Sequence, residues 1–300
     1  MSSESSDAGL RGVSAGTTAI ATVGAEGTGL RYRGYDVAEL AEHASFEEVA
    51  WLLLHGELPS AEQREGYREQ LRALRSLPAA VCEVLERVPA RTHPMDVLRT
   101  GCSMLGTIEP EDDFSQQLEA ANRLIATLPS MLLYWHHFVT SGRRIETATD
   151  ESSVAGHFLG LLHAKRPDEV HVRALDASLI LYAEHEFNAS TFAARVCAAT
   201  LSDLHSAVTA AIGTLRGPLH GGANEAAMDL IDRFESPAAA ETGVRAMLGR
   251  REKIMGFGHA VYRKADPRSP IIKAWASDLA RSAADRTRFE IAEAIETVMR

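Results

Sequence analysis

The chain has 300 residues, 45% hydrophobic and 24% charged with only 6% aromatic, which excludes collagen, a coiled-coil fibre and wholesale disorder and leaves room for one large domain or two ordinary ones. Lys plus Arg number 31 against 41 Asp plus Glu, a formal charge of -10, so non-specific binding to nucleic acid or to an anionic membrane is disfavoured. An anionic ligand therefore needs a local basic pocket. The three cysteines, Cys82, Cys102 and Cys197, are far apart and form no CxxC pair, so neither a disulfide framework nor a zinc ribbon is expected. With no basic, apolar leader and no apolar run near the ~20 residues of a membrane span, a cytoplasmic protein is the expectation.

In chain order, a Ser-rich, acidic tail over 1–12 gives way to two short alternating runs, Ala19 to Val23 and Leu30 to Tyr32, around a Gly-rich turn, the pattern of a β-hairpin. From Asp36 onward the signals are helical. Ser45-Phe46-Glu47-Glu48 and Ser60-Ala61-Glu62-Gln63 both match the capping box, in which the Ser side chain caps N3 and the Glu or Gln reaches back. Further helices are expected near 94–105, opened by Pro94, and 114–140, bent or divided at Pro129. Others are expected near 153–163, 168–184, 190–213, 220–233, 237–249, 269–282 and 286–300. This is a mainly α protein, and the Gly-rich stretch Arg216 to Ala223 divides a large domain, 13–218, from a smaller one, 219–300.

Nucleotide and metal motifs are absent: no GxxxxGK[ST], no HExxH, and Gly256-Phe257-Gly258 lacks the third glycine of a dinucleotide fingerprint. Neighbouring His136 and His137 point to different helix faces and are read as structural, so no metal is expected. Three other histidines sit in unusual contexts. His185 lies between Glu184 and Glu186, before an Asn188/Ser190 turn able to cap a helix. His220 is enclosed by Gly217, Pro218, Gly221 and Gly222 at a helix start, where the positive dipole end disfavours imidazolium and favours a neutral, donating ring. His259 follows Gly258 and precedes Arg263, Lys264 and Arg268, a cluster suited to carboxylates and phosphates.

The runs GPLHGGANE (Gly217 to Glu225), GFGHAVYRKADPR (Gly256 to Arg268) and AEHEFNASTFAARV (Ala183 to Val196), in that spacing, resemble the citrate synthase family. YRGYDVAELA (Tyr32 to Ala41), FEEVAWLLLHGELP (Phe46 to Pro59) and HPMDVLRTGCSMLG (His93 to Gly106) extend the resemblance over essentially the whole chain. Within the family, the MDVLRTGCS and AEHEFNAS runs are most similar to bacterial 2-methylcitrate synthases. The resemblance implies a helical homodimer whose small domain closes over the substrates. It also implies Claisen-type condensation of an acyl-CoA, propionyl-CoA or acetyl-CoA, with oxaloacetate, followed by thioester hydrolysis and needing no cofactor. By the same resemblance His220 and His259 would be catalytic, the first donating to the thioester carbonyl and the second polarising the ketone. His185 and Arg268 would bind oxaloacetate carboxylates, and Lys253, Ile254, Met255, Gly256, Phe257 and Arg263 would meet coenzyme A.

The family also places a carboxylate base on a segment that follows these motifs, with Phe-Pro-Asn and an Asp before an aromatic. No such segment occurs after Arg268, and the apolar stripe Phe289, Ala292, Ile295 and Met299 runs to the end without a C-cap, so the chain reads as C-terminally truncated. Asp266, two residues before Arg268, is expected to brace its loop, and Asp285 lies among exposed charges; neither suits the role of base. Two alternatives stay open beside a 2-methylcitrate synthase: a citrate synthase, and a catalytically incomplete member that acts only in binding or subunit pairing.

Overall fold

The computed structural model describes residues 15–24, 29–258, 262 and 266–300; the 1–12 tail, His259, Arg263 and Lys264 lie outside the described residues. Three short antiparallel strands, β1 (Ala21–Val23), β2 (Leu30–Tyr32) and β3 (Tyr35–Asp36), form a sheet in sequence order, with Ala21 opposite Tyr32 and Arg31 opposite Asp36. The expected hairpin is β1–β2, and β3 is an addition folded back through Arg33 and Gly34, both at positive φ.

Helices follow: α1 (Val37–His43), α2 (Phe46–His55), α3 (Ala61–Ala73), α4 (Ala79–Glu86), α5 (Pro94–Ile108), α6 (Gln117–Ser141) and α7 (Val154–His163). Then come α8 (Glu169–Tyr182), α9 (Ala189–Ala198), α10 (Leu204–Leu215), α11 (Gly222–Asp232), α12 (Pro237–Gly249), α13 (Ser269–Ser282) and α14 (Thr287–Met299). The protein is mainly helical, as its periodicity predicts. Both capping boxes are formed, at Ser45 with Glu48 and at Ser60 with Gln63. Among the described residues no helix is long and apolar enough to cross a membrane.

Two expected boundaries move. The 114–140 segment is a short 3-10 turn, Phe114–Gln116, and then one unbroken helix with Pro129 inside it. Packing of Ala126, Met131, Leu133, Tyr134 and Trp135 into the core outweighs the backbone hydrogen bond that Pro129 cannot make. The expected 190–213 helix is divided: α9 ends at Ala198, Leu201 turns the backbone at φ 64, and Asp203 restarts the helix by accepting from Ser206 N. Asp203 and Ser206 carry an N-cap signal inside a continuous apolar pattern, and the cap wins.

Buried side chains of α1, α2 and α8 with β1 and β2 form one core, and those of α4, α5, α6 and α10 another. A third core joins α11, α12 and α14 with Ile254, while α13 lays Ile271 and Ile272 against the first. On α14 Ile295 is buried and Met299 partly covered, as the expected stripe has them, while Ile291 and Val298 take the core positions expected of Phe289 and Ala292. Buried charge is used as structure. Glu47 accepts from Val154 N at the start of α7 (2.7 Å), and Asp176 accepts from Phe46 N at the start of α2 (3.1 Å), each serving a helix end from a distant element. Arg75 donates to the carbonyls of Thr149, Glu151 and Ser153, pinning the segment before α7. His137 is hydrogen-bonded to Leu161 O (2.7 Å), the structural role expected for it.

Candidate active site

The turn between α8 and α9 carries His185 and is fixed from three sides. Buried Tyr32 accepts from Glu184 N (3.3 Å) and donates to Ile180 O (3.0 Å), and Glu186, itself at φ 52, accepts from Val23 N (2.7 Å). Burial pushes the Glu184 carboxyl up. His185 Nε2 is 3.0 Å from the Tyr262 hydroxyl, and the two rings meet edge to face at 5.5 Å. Burial, with the nearby Asp266 charge, pushes the Tyr262 phenol up to about 12, so it stays protonated at neutral pH.

Asn188 caps α9 by accepting from Thr191 N (3.0 Å), which leaves the Ser190 N–H, an orphan donor of the first turn, aimed at His220 Nε2 (3.3 Å). An N–H can only donate, so Nε2 accepts and the ring proton is assigned to Nδ1. The Ser190 hydroxyl is 2.8 Å from both His220 Nε2 and Asn188 Oδ1, one proton between two acceptors. Burial holds the His220 imidazole below its ordinary pKa, and the positive end of the α9 dipole works in the same direction. The result is a neutral ring with its Nδ1–H directed away from α9.

Glycines around His220 answer a backbone demand more than a ligand's. A Cβ on Gly221 would sit 2.5 Å from Leu215 O, and one on Gly222 would sit 3.1 Å from the carbonyls of Arg216 and Gly217. The turn also has two anchors on α5: Arg216 Nε donates to Asp96 (2.9 Å), and His93, whose Nδ1 caps α5, meets Glu225 through Nε2 (2.9 Å).

Arg268 grips Asp266 through Nε (2.9 Å) and Nη2 (2.7 Å), and its guanidinium lies 5.9 Å from the Tyr182 ring centroid. Burial works against its charge, but the Asp266 hydrogen bonds outweigh that and raise its pKa, so it is permanently cationic. Tyr182 OH accepts from Asn224 Nδ2 (3.0 Å), which ties Arg268 to the first turn of α11, close in sequence to His220. Asp266 thus braces its loop. Asp285 accepts from Thr287 N at the exposed start of α14.

On the 253–257 loop, Ile254 is buried and Phe257 packs beside it in the third core, whereas Lys253 and Gly256 are exposed. The loop therefore offers a ligand its backbone and the Lys253 and Met255 side chains. Gly256 takes φ 92, open to glycine without strain. His259 and Arg263 lie outside the described residues. Around the α8–α9 turn His185 meets Tyr262, His220 meets Ser190, and Arg268 lies beside Tyr182 at the end of α8. The sequence marks Ser190 only as part of a capping turn and gives Tyr182 and Tyr262 no role, although each lies in or beside a quoted motif; their contacts with His220, Asn224 and His185 follow from the fold.

A neutral imidazole held by the first turn of α9 can donate a hydrogen bond to negative charge on a ligand, and the braced Arg268 can bind an anion. A model of the citrate synthase C-terminal domain matches residues 9–300. A 2-methylcitrate synthase of Shewanella oneidensis is 58% identical over 292 residues, 97% of this chain and 78% of that protein. One from Mycobacterium tuberculosis is 45% identical over 88% of this chain and 67% of its own length. Citrate synthase from Thermoplasma acidophilum, solved as a ternary complex with carboxymethyl coenzyme A and oxaloacetate, superposes with a TM-score of 0.89 at 28% identity, over 95% of this chain and 76% of that one. The chain belongs to the citrate synthase family.

Proposed function

We propose that the chain carries out the reaction of a 2-methylcitrate synthase. A base takes a proton from Cα of propionyl-CoA, the resulting enolate, held by a hydrogen bond to its oxygen, attacks the ketone carbon of oxaloacetate to form a C–C bond, the former ketone oxygen takes up a proton, and water then cleaves the thioester, releasing CoA. The observation that carries the reading is the Ser190–His220 contact, which directs a neutral Nδ1–H outward where a thioester oxyanion would need a donor. The identity to relatives named 2-methylcitrate synthase supports the propionyl over the acetyl substrate.

In this reading His220 stabilises the enol, His259 polarises the ketone, and Arg268 and His185 hold oxaloacetate carboxylates. Lys253 to Phe257, with Arg263, meet coenzyme A. The Thermoplasma acidophilum relative was solved with carboxymethyl coenzyme A and oxaloacetate together, which supports a site for both ligand types on this fold. Neither Asp266, committed to Arg268, nor surface Asp285 is assigned the α-proton. The chemistry resides in side chains and the thioester, without a cofactor. Residues 219–300 act as a small domain that closes over the substrates and excludes water.

The chain acts as a homodimer in the cytoplasm. Exposed Val196 and Leu201 (54% and 74%) on and after α9, a helix with no buried residue, support a pairing face there. The three free thiols suit a reducing compartment. CoA release with oxaloacetate and either acyl-CoA tests the reading. Higher kcat/KM with propionyl-CoA is expected; equal or greater preference for acetyl-CoA would favour a citrate synthase, and no release with either would refute the assignment. Sedimentation tests the dimer, and a monomer at micromolar concentration would exclude it.

A further inference from the structure

We propose that Glu111, Asp203 and His205 form a site for one divalent transition-metal cation, best suited to Zn2+, where the segment after α5 meets the first turn of α10. One ligand atom from each residue lies within 4.8 Å of the others. His205 is 3% exposed, and among the described residues neither of its ring nitrogens has a hydrogen-bond partner. A buried imidazole left unpaired at both nitrogens is uncommon, because each forfeits its hydration without replacement. The Glu111 side chain is 5% exposed; its Oε1 accepts from Leu204 N (2.7 Å), while buried Oε2 has no partner among the described residues. Asp203 uses Oδ1 to cap α10 through Ser206 N (2.8 Å), fixing its carboxylate at the same helix end.

The alternative is a buried ion pair of protonated His205 with Glu111. His205 Nδ1 stands 3.4 Å from Glu111 Oε1, yet the two make no hydrogen bond, and protonation would add an unpaired Nε2–H. A tetrahedral zinc ion with bonds of about 2.0–2.1 Å holds its ligands roughly 3.3 Å apart, close to that separation. Two carboxylates and a neutral imidazole sum to a charge of -2, which a dication cancels. One nitrogen with carboxylate oxygens matches Zn2+, Co2+ or Mn2+ and not a soft monovalent ion. His205 is held in place by α5: a Cβ on Gly106 would fall 2.5 Å from His205 Cβ.

Bound there, the cation would clamp α5 to α10. The His220 turn follows the far end of α10, about 18 Å away at 1.5 Å per residue, so the role is structural and separate from condensation. The test is calorimetric titration of Zn2+ into the chelator-treated full chain, with Co2+ absorption as a second probe. One Zn2+ per chain is expected. E111Q keeps the acceptor for Leu204 N, and D203N keeps an N-cap, so both should fold. Each should weaken Zn2+ at least 10-fold and abolish the zinc-induced rise in Tm. No binding by the unsubstituted chain, or binding unchanged within twofold in E111Q, D203N and H205Q alike, would overturn the proposal.

Discussion

Replacing Ser190 by Ala and His220 by Ala separates two ways in which the site could work. In the first substitution the Ser190 N–H still reaches His220 Nε2 at 3.3 Å, so the tautomer and the outward Nδ1–H survive. Only the hydroxyl, 2.8 Å from Nε2, is lost, a single hydrogen bond of about 1 kcal/mol, so kcat should fall less than about tenfold. In the second, the donor itself is removed. Deleting one oxyanion donor raises a barrier by about 3–4 kcal/mol, which predicts a loss of about 10² to 10³ in kcat with oxaloacetate binding retained. CoA release measures both, and nitrogen NMR of the His220 ring reads the tautomer directly. A proton on Nε2, an S190A defect as deep as that of H220A, or an H220A enzyme of unchanged rate would each refute the reasoning. Because burial depresses the His220 pKa, the acid limb of kcat/KM assigned to this ring should lie below the ordinary imidazole value of about 6.5.

Two buried groups should give stability opposite pH slopes. Burial, aided by the Arg75 charge, holds His157 at about 3. The unfolded chain then binds the extra proton below about 6.5, so stability falls with decreasing pH by at most about 4–5 kcal/mol at pH 3. H157Q should flatten that limb in chemical denaturation. Burial and the Glu47 charge raise Asp176 to about 6, so the native state binds the extra proton and stability falls as pH rises from about 3.8 through 6. D176N should therefore raise the free energy of unfolding at pH 7 by about 1–2 kcal/mol after loss of the Arg173 contact, with the gain vanishing near pH 3.5. R268K cannot fork onto Asp266 and should raise KM for oxaloacetate about 10- to 100-fold more than it lowers kcat; an unchanged KM would remove Arg268 from the site. N188A should cost about 1 kcal/mol of stability by uncapping α9, measured by urea unfolding.

Local rules explain most of what was legible in the sequence. The capping boxes at Ser45 and Ser60, the Pro94 helix start and the β1–β2 hairpin depend on neighbours a few residues apart, and each forms where the pattern puts it. The three histidine runs stood out because glycine, acid and arginine crowding around a ring is a local signature, and the family followed from those same runs. Tertiary structure decided the rest. Pro129 sits within a continuous helix because buried side chains on both sides of it hold α6 together, and Asp203 divides an apolar run because its carboxylate has Ser206 to cap.

The proton on His220 depends on a backbone N–H 30 residues earlier, the phenol beside His185 on a residue 77 positions later, and the Glu111–Asp203–His205 cluster on ligands 92 and 94 positions apart. Sequence spacing records which side chains exist and how they alternate. It does not record which buried nitrogen faces which oxygen, because that is set by the packing of α5, α9 and α10, and there the chemistry of this chain is decided.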